Sequence, residues 1–193
     1  MSTKTESISL RAMEPEDIDN IYCWENDPTV WVDSAAHQPF SRHALRQFIE
    51  ENSSVDIYSC RQLRLMADIE IITNYESEIA LPTAKTILGT HYTVGCVDIF
   101  DFDPYHRRAG VGIIVDSRHR RQGYGILMLA ELEKFACQHL SLHQLHCTIA
   151  ADNSASLALF EKVGYKRCGT FSQWVLSNNS WIDAHTYQKL LKY

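Results

Sequence analysis

One junction in the second half of the chain narrows the fold more than any other feature. Ala109-Gly-Val-Gly-Ile-Ile-Val115 is a nearly continuous apolar run, the pattern of a strand covered on both faces. It passes through a polar, arginine-rich turn, Asp116 to Gln122, into Gly123-Tyr-Gly125. Beyond it, from Ile126 to Leu140, residues Leu129, Leu132, Phe135 or Ala136, and Leu140 repeat at helical spacing. A buried strand therefore feeds a helix through a basic, glycine-bearing loop. A second such unit follows: Gln144 to Ala150 reads as a strand, Asp152-Asn153-Ser154 as a cap, Ala155 to Val163 as a helix and Gly164 as its stop.

The flanking regions read more simply. Ile8 to Ala12 alternates as a strand should, and Glu14-Pro15-Glu16-Asp17 opens a helix with proline and acids in its first turn. Asn26 to Ser41 is turn-rich and aromatic, and Ser41 to Asn52 is helical with Ala44, Leu45, Phe48 and Ile49 on one face. From Cys60 to about Phe102 the pattern is β, with a polar interruption from Thr73 to Thr83 that marks an insertion or a long hairpin. Tyr165 to Leu176 and Trp181 to Tyr193 read as two strands turned by Asn178-Asn179.

At 193 residues and 22.1 kDa, the chain is expected to form a single domain over 1–193 with a core of its own. No apolar run approaches the roughly 20 residues of a membrane helix, and Met1 to Ser9 lacks the apolar stretch of a signal peptide. A cytoplasmic protein with no membrane partner is expected. The six cysteines (Cys23, Cys60, Cys96, Cys137, Cys147, Cys168) form no C-x-x-C pair and no zinc-spaced doublet with histidine, so they read as reduced, mostly buried thiols with no metal.

Charge carries a sharper message. The first 60 residues hold 11 acids against 4 bases, within a net charge of −6, which excludes nucleic acid as a general partner. Against that background, Arg107, Arg108, Arg118, Arg120 and Arg121 crowd into fifteen residues. They call for a small anionic ligand. A helix start offers unpaired N–H groups and about half a positive charge, and Arg120-Arg121-Gln122-Gly123-Tyr124-Gly125 adds guanidinium groups and glycines that admit phosphate oxygens. A dinucleotide fingerprint is disfavoured, since Met128 stands at the third glycine and Leu145 where an acid should meet a ribose. A Walker loop is disfavoured too, because no Gly-Lys-Ser/Thr tripeptide exists.

The spacing Arg120-x-x-Gly123-x-Gly125, directly after a buried strand, resembles the acetyl-CoA loop of the GNAT superfamily of N-acetyltransferases. Asn153-Ser-Ala-Ser-Leu-Ala-Leu-Phe-Glu-Lys-Val-Gly-Tyr165 resembles its second signature. The Leu10-Arg-Ala opening, the Gly95 to Phe102 strand and the closing Asn-Ser-Trp181-Ile-Asp183 are similar to the branch holding spermidine N-acetyltransferases and ribosomal-protein alanine N-acetyltransferases. The resemblance implies an α+β (α/β) fold, a GNAT-like mixed sheet flanked by helices on both faces and splayed between the strands at Gly112 to Val115 and Leu145 to Ala150. It also implies acetyl-CoA (CoA) as cosubstrate. Backbone groups of Ile114, Val115 and Asp116 would pair with the pantetheine arm as with a surrogate strand. Arg120, Arg121, Gln122, Gly123, Tyr124, Gly125 and Ile126 would hold the pyrophosphate, Asn153 would bond the pantetheine or phosphate end, and Phe160 would pack near the sulfur or within the helix face, core packing being the favoured reading.

The implied activity is acetyl transfer to a primary amine by direct attack in a ternary complex. Relatives carry a glutamate at the position of Gly110 and, among spermidine acetyltransferases, a tyrosine acid at the position of Phe160; this chain has neither. Asp98 is the substitute base named here, since it and Asp101 face opposite sides of one strand and at most one meets the cleft. His106 and His119 read as surface or phosphate-side residues, and Tyr165 as core. The acidic first 60 residues, with Trp24, Trp31, Phe40, Trp174 and Trp181, would wall a site for a cationic amine: a polyamine, another small amine or a protein N-terminus. Relatives also form dimers or larger assemblies, so a homo-oligomer is implied. A non-catalytic acyl-CoA-binding or regulatory module stays open as the alternative, and a generic nucleotide binder as a third.

Overall fold

The computed structural model of the chain describes residues 3–28, 38–75, 86–177 and 179–192. Strand β1 (Thr3–Ala12) opens it, longer than its alternating core suggests. A 3-10 turn at Pro15–Asp17 leads into α1 (Ile18–Glu25). Helix α2 (Arg42–Ser54) starts at Ser41, whose hydroxyl accepts from the Ala44 N–H, and it buries Leu45 and Ile49, while Ala44 stays exposed. After the short α3 (Ile57–Cys60), β2 (Leu63–Tyr75) and β3 (Thr86–Asp103) pair antiparallel out to Tyr75 and Thr86. Thr73 to Tyr75 of the polar interruption thus belong to the paired strand β2; residues 76–85 are outside the described residues.

The second half alternates as its patterning predicts. It contains β4 (Arg108–Val115), a 3-10 turn at Ser117–His119, α4 (Tyr124–Gln138), β5 (Gln144–Ala150), α5 (Ser154–Lys162), β6 (Lys166–Ser177) and β7 (Ser180–Leu190). Gly164, at φ +94, takes the left-handed conformation that ends α5 at little steric cost. The turn between β6 and β7 retains Asn179 at φ +64; Asn178 is outside the described residues.

The seven strands form one sheet in the order β1-β2-β3-β4-β5-β7-β6, with every neighbouring pair antiparallel except β4 and β5. Side-chain alternation divides the core between the faces. Val97, Ile99, Val111 and Leu145 pack with Met128, Leu129 and Leu132 of α4, whereas Met66 and Cys96 pack with Ile21, Trp24, Leu45 and Ile49 of α1 and α2. Ile21, Met66, Met128, Leu129, Leu132 and Leu145 are each 0% exposed, and each stabilises the fold by about 1.5–3 kcal/mol in transfer terms. The expectation of mostly buried thiols needs correcting. Cys96 and Cys147 are buried, and burial pushes each thiol up to about 12, but Cys23 and Cys168 lie exposed on α1 and on the edge strand β6.

The parallel pair is short. Only Arg108, Ala109 and Gly110 of β4 pair with Gln144, Leu145 and His146 of β5. Beyond that vertex β4 stays with β3 as far as Val115, and β5 stays with β7 as far as Ala150, so the sheet divides into two blades.

Candidate active site

Beside the free edge of β4 beyond the vertex lies a cavity of about 680 Å³. One wall is the β4 edge at Ile113, Ile114 and Val115, where strand residues paired only to β3 leave alternate N–H and C=O groups facing the gap. The other wall is α5, which presents Ala155, Ala158, Leu159 and Lys162 at the spacing of a single helix face. The start of α4 closes one end.

That end is built from main chain. Arg121 and Gly123 adopt φ of +63 and +89, and Gly123 caps α4 by accepting from the Ile126 N–H at 3.0 Å. The N–H groups before Ile126 have no partner inside the helix and carry its positive end. Gly125 is small for a different reason: a Cβ there would lie 3.1 Å from Leu159 Cδ2, so glycine lets α4 and α5 meet beside the cavity. Arg120, Arg121, Lys162 and His119 line the cavity, and no carboxylate does so among the described residues. Arg120 also donates from Nε to the Val115 carbonyl at 3.1 Å, which fixes it against the β4 edge.

Of the residues expected to hold a cofactor, Ile114, Val115, Arg120, Arg121, Gly123, Tyr124, Gly125, Ile126 and Asn153 line this cavity. Three do not. The Asp116 N–H is spent on the Val94 carbonyl at 2.8 Å, and its buried carboxylate accepts from Trp24 Nε1 at 2.9 Å and Arg118 Nη2 at 2.8 Å. Arg118 chiefly holds that carboxyl well below the usual carboxylate range. Asp116 thereby ties α1 to the loop. Gln122 turns its side chain to the Arg118 carbonyl at 3.2 Å. Phe160 is 3% exposed and packs edge-to-face on Tyr165 at 4.9 Å, in the core. One residue is 100° on a helix, so Leu159 takes the wall position that the sequence suggested for Phe160. Asn153 lines the cavity and also caps α5, accepting from the Ser156 N–H at 3.0 Å.

Leu159 and Lys162 were legible as the i and i+3 companions of Asn153's helix, but only the position of β4 shows which face looks into the gap. His119 stacks on Tyr92 at 5.1 Å, and the Tyr92 and Tyr124 hydroxyls lie 3.4 Å apart. That hydrogen bond and burial raise the Tyr124 phenol to about 12, so it is neutral at pH 7. His106 is not near this loop. It sits in the β3–β4 turn, at the opposite end of β4, with its ring Nδ1 2.8 Å from Asp103 Oδ2.

The opposite sheet face carries the residues expected to do chemistry. Asp98 is on that face with Cys96, but its Oδ1 and Oδ2 accept from Arg64 Nε at 2.7 Å and Nη2 at 3.1 Å. The other side of the guanidinium meets Glu25 at the end of α1. Asp98 is thus one of two acids in a largely buried ion-pair network around Arg64, and the simple picture of an available strand carboxylate is corrected. Asp101 lies at φ +49 in an irregularity of the β3–β4 pairing and is exposed. Asp17 and Asp19 are likewise paired, with Arg11 and Arg42, so part of the N-terminal acidity is neutralised within the fold. The aromatic residues do not converge: Trp24 is buried against Asp116, Phe40 packs on the α1–α2 core, Trp174 and Trp181 are exposed on the hairpin, and Trp31 is outside the described residues.

Gly110 has a physical reason to lack a side chain. The Phe100 ring covers it, and a Cβ at 110 would stand 2.6 Å from Phe100 Cδ2 and 2.7 Å from Cζ. Across the vertex, His146 meets the same ring edge-on at 6.5 Å. Its strand neighbours Leu145 and Cys147 face the α4 side, which puts the half-buried His146 ring on the Phe100 side. Sequence reasoning passed over His146, although the alternation of Leu145, Cys147 and Ile149 was the signal that could have found it.

Comparison with known proteins agrees with this geometry. Residues 7–166 match the acetyltransferase (GNAT) domain family. An uncharacterised N-acetyltransferase from the SPbeta prophage of Bacillus subtilis (strain 168), YokL, is 23% identical over 178 residues, covering 92% of this chain and 86% of that one. A spermidine N-acetyltransferase from Vibrio cholerae, solved in complex with CoA and spermine, superposes with a TM-score of 0.73 at 18% identity, covering 95% of each chain. A dodecameric structure of the Vibrio cholerae enzyme gives 0.68 at 19% identity, covering 95% of this chain and 94% of that one. A sheet splayed between its parallel neighbours β4 and β5, a glycine-started helix at the mouth of the gap and the family match over most of the chain lead to one assignment: this protein belongs to the GNAT acetyltransferase family.

Proposed function

We propose that the chain transfers an acetyl group from acetyl-CoA to a primary amine of a cationic acceptor, by direct attack within a ternary complex. The observation that carries the reading is the cavity itself. It joins an open strand edge, which suits the amides of a pantetheine arm, to a helix start ringed by Arg120, Arg121 and Lys162, which suits a diphosphate. On this reading the gap-facing main-chain groups of Ile113 and Val115 pair with pantetheine, while Ile114, in register with Asp116, turns its own to β3. The N–H groups from Gly123 to Gly125, with the two arginines, hold the diphosphate, and Asn153 bonds the arm where α5 begins. Asp116, Gln122 and Phe160 support loop and helix from outside the cavity. A β4 N–H near Ile114 polarises the thioester carbonyl, and positioning of the amine beside it supplies much of the rate.

The acceptor enters from the α1–α2 face, opposite α4. Glu25 and Asp98 meet the Arg64 guanidinium there, and the acidic first 60 residues bias that side toward a cationic amine. The Vibrio cholerae structure with spermine makes polyamines the first acceptors to try, ahead of small amines and peptides with free N-termini. Purified protein is expected to release free thiol from acetyl-CoA when given spermine, putrescine or such a peptide. The missing glutamate at Gly110 and the engaged Asp98 favour a second reading, a non-catalytic acyl-CoA-binding module. CoA binding by calorimetry without thiol release from any amine would establish that reading instead.

A further inference from the structure

The structure leaves one titratable side chain at the vertex of the splay that the reading above does not use. Gly110–His146 is the last pair before β4 and β5 part, so the His146 ring stands where the gap begins. Ile113, the cavity-lining residue nearest the vertex, is three residues further along β4, about 10 Å at strand rise. An amine set against a thioester at that inner end is separated from an imidazole at the vertex by more than one water, so the proton passes along a short chain of bridging waters.

We propose that His146 is the base that takes the proton from the acceptor ammonium. This inference rests on the acetyl-transfer reading and adds to it the group that makes the amine nucleophilic. The ammonium N–H bond breaks and its proton passes to the imidazole, which returns it to solvent. The freed lone pair attacks the thioester carbon, the C–S bond breaks, and the second proton lost by nitrogen ends on sulfur as the CoA thiol. No further reactant is needed.

The surroundings suit the role. Phe100 from β3 shields one side of the ring and, by covering Gly110, occupies the space where a side chain on β4 would otherwise stand. Asp101 on β3 favours the charged imidazole and Arg108 on β4 opposes it. The remaining neighbours are neutral: Gln144 and Thr148 on β5, and Gln188 and Thr186 on β7, with Lys166 of β6 one strand further out. Burial is the largest influence and lowers the His146 pKa from its usual value near 6.5, so the ring is neutral and able to accept a proton at pH 7.

The test is the pH profile of kcat/KM for spermine, putrescine and a free-N-terminus peptide, in wild type and His146→Gln. Wild type is expected to lose activity as pH falls through a midpoint below about 6.5. His146→Gln is expected to lose that limb and about 10²-fold in kcat/KM, with unchanged CoA affinity by calorimetry. Added imidazole is expected to restore part of the rate in His146→Ala, which a merely structural role would not allow. An active His146→Gln protein that keeps the low-pH limb overturns this inference alone. Wild-type protein that binds CoA but releases no thiol with any of the three amines overturns the acetyl-transfer reading, and this one with it.

Discussion

The two sides of the splay are made of different materials. On the α4–α5 side the cavity is formed by strand edge, helix start and glycine conformations, with Arg120, Arg121 and Lys162 as exposed additions. On the α1–α2 side the wall consists of interlocked side chains: Arg64 bridging Glu25 and Asp98, and Phe100 filling the space over Gly110. Main-chain donors are set by the fold and survive most substitutions around them. A buried ion pair depends on both partners, and removal of either strands the other. Ligand binding should therefore be the sensitive property on the first side, and stability on the second.

Arg64→Met puts that contrast to its hardest test. It leaves Glu25 and Asp98 without their shared cation, and since Arg64 is only 14% exposed the loss is expected to be about 3–5 kcal/mol, a fall in Tm of roughly 6–20 °C. A melt within 2 °C of wild type would mean the network is as dispensable as a surface pair. Next is Gly123→Glu. No atom lies within 4 Å of a Cβ built there, so the chain has room for the substitution despite φ +89, and strain at this φ is expected to lower stability by only about 1 kcal/mol. The added carboxylate at the helix start should weaken CoA binding by about 100-fold or more in calorimetry.

Gly110→Ala is expected to cost about 1–3 kcal/mol by overpacking against Phe100, and Phe100→Ala in the same chain should recover part of it. Additive losses in urea titrations would show the two residues do not share that space. Asp116 joins the two sides through Trp24, so Asp116→Asn should lower stability by about 1–2 kcal/mol at pH 7. Because the folded-state carboxyl is held below its unfolded value near 3.9, its contribution is present above that pH and lost as pH falls toward the folded value. The gap between wild type and Asp116→Asn should accordingly narrow in melts below pH 4. The smallest effect is expected from Arg121→Met: stability within about 0.5 kcal/mol of wild type, a few-fold weaker CoA binding, and a shallower salt dependence of that binding.

The contrast also explains what could be read from the residues alone. Val115 to Gly125 was legible because a helix start, its glycines and its flanking cations are consecutive in the chain, and their chemistry is local. The same holds for Asn153 as a cap and Gly164 as a stop. Phe160 could be read toward the cofactor or toward the core, and only packing on Tyr165 decided for the core, because local spacing defines a helix face without saying what stands opposite. Asp98 was legible as one of two alternating strand acids, but its partner is 34 residues away, on a neighbouring strand. Gly110 looked like a lost glutamate; the ring that fills its place comes from β3.

The amino-acid sequence by itself determined the order of elements, the strand-to-helix junction and the anion-binding character of the loop, since each follows from short-range backbone preferences and consecutive charges. Only the tertiary structure decided which face of α5 meets the gap, which carboxylates are occupied, and that His146 and Phe100 meet at the vertex. Those outcomes depend on strand register and packing between residues far apart in the chain, where no local preference reaches.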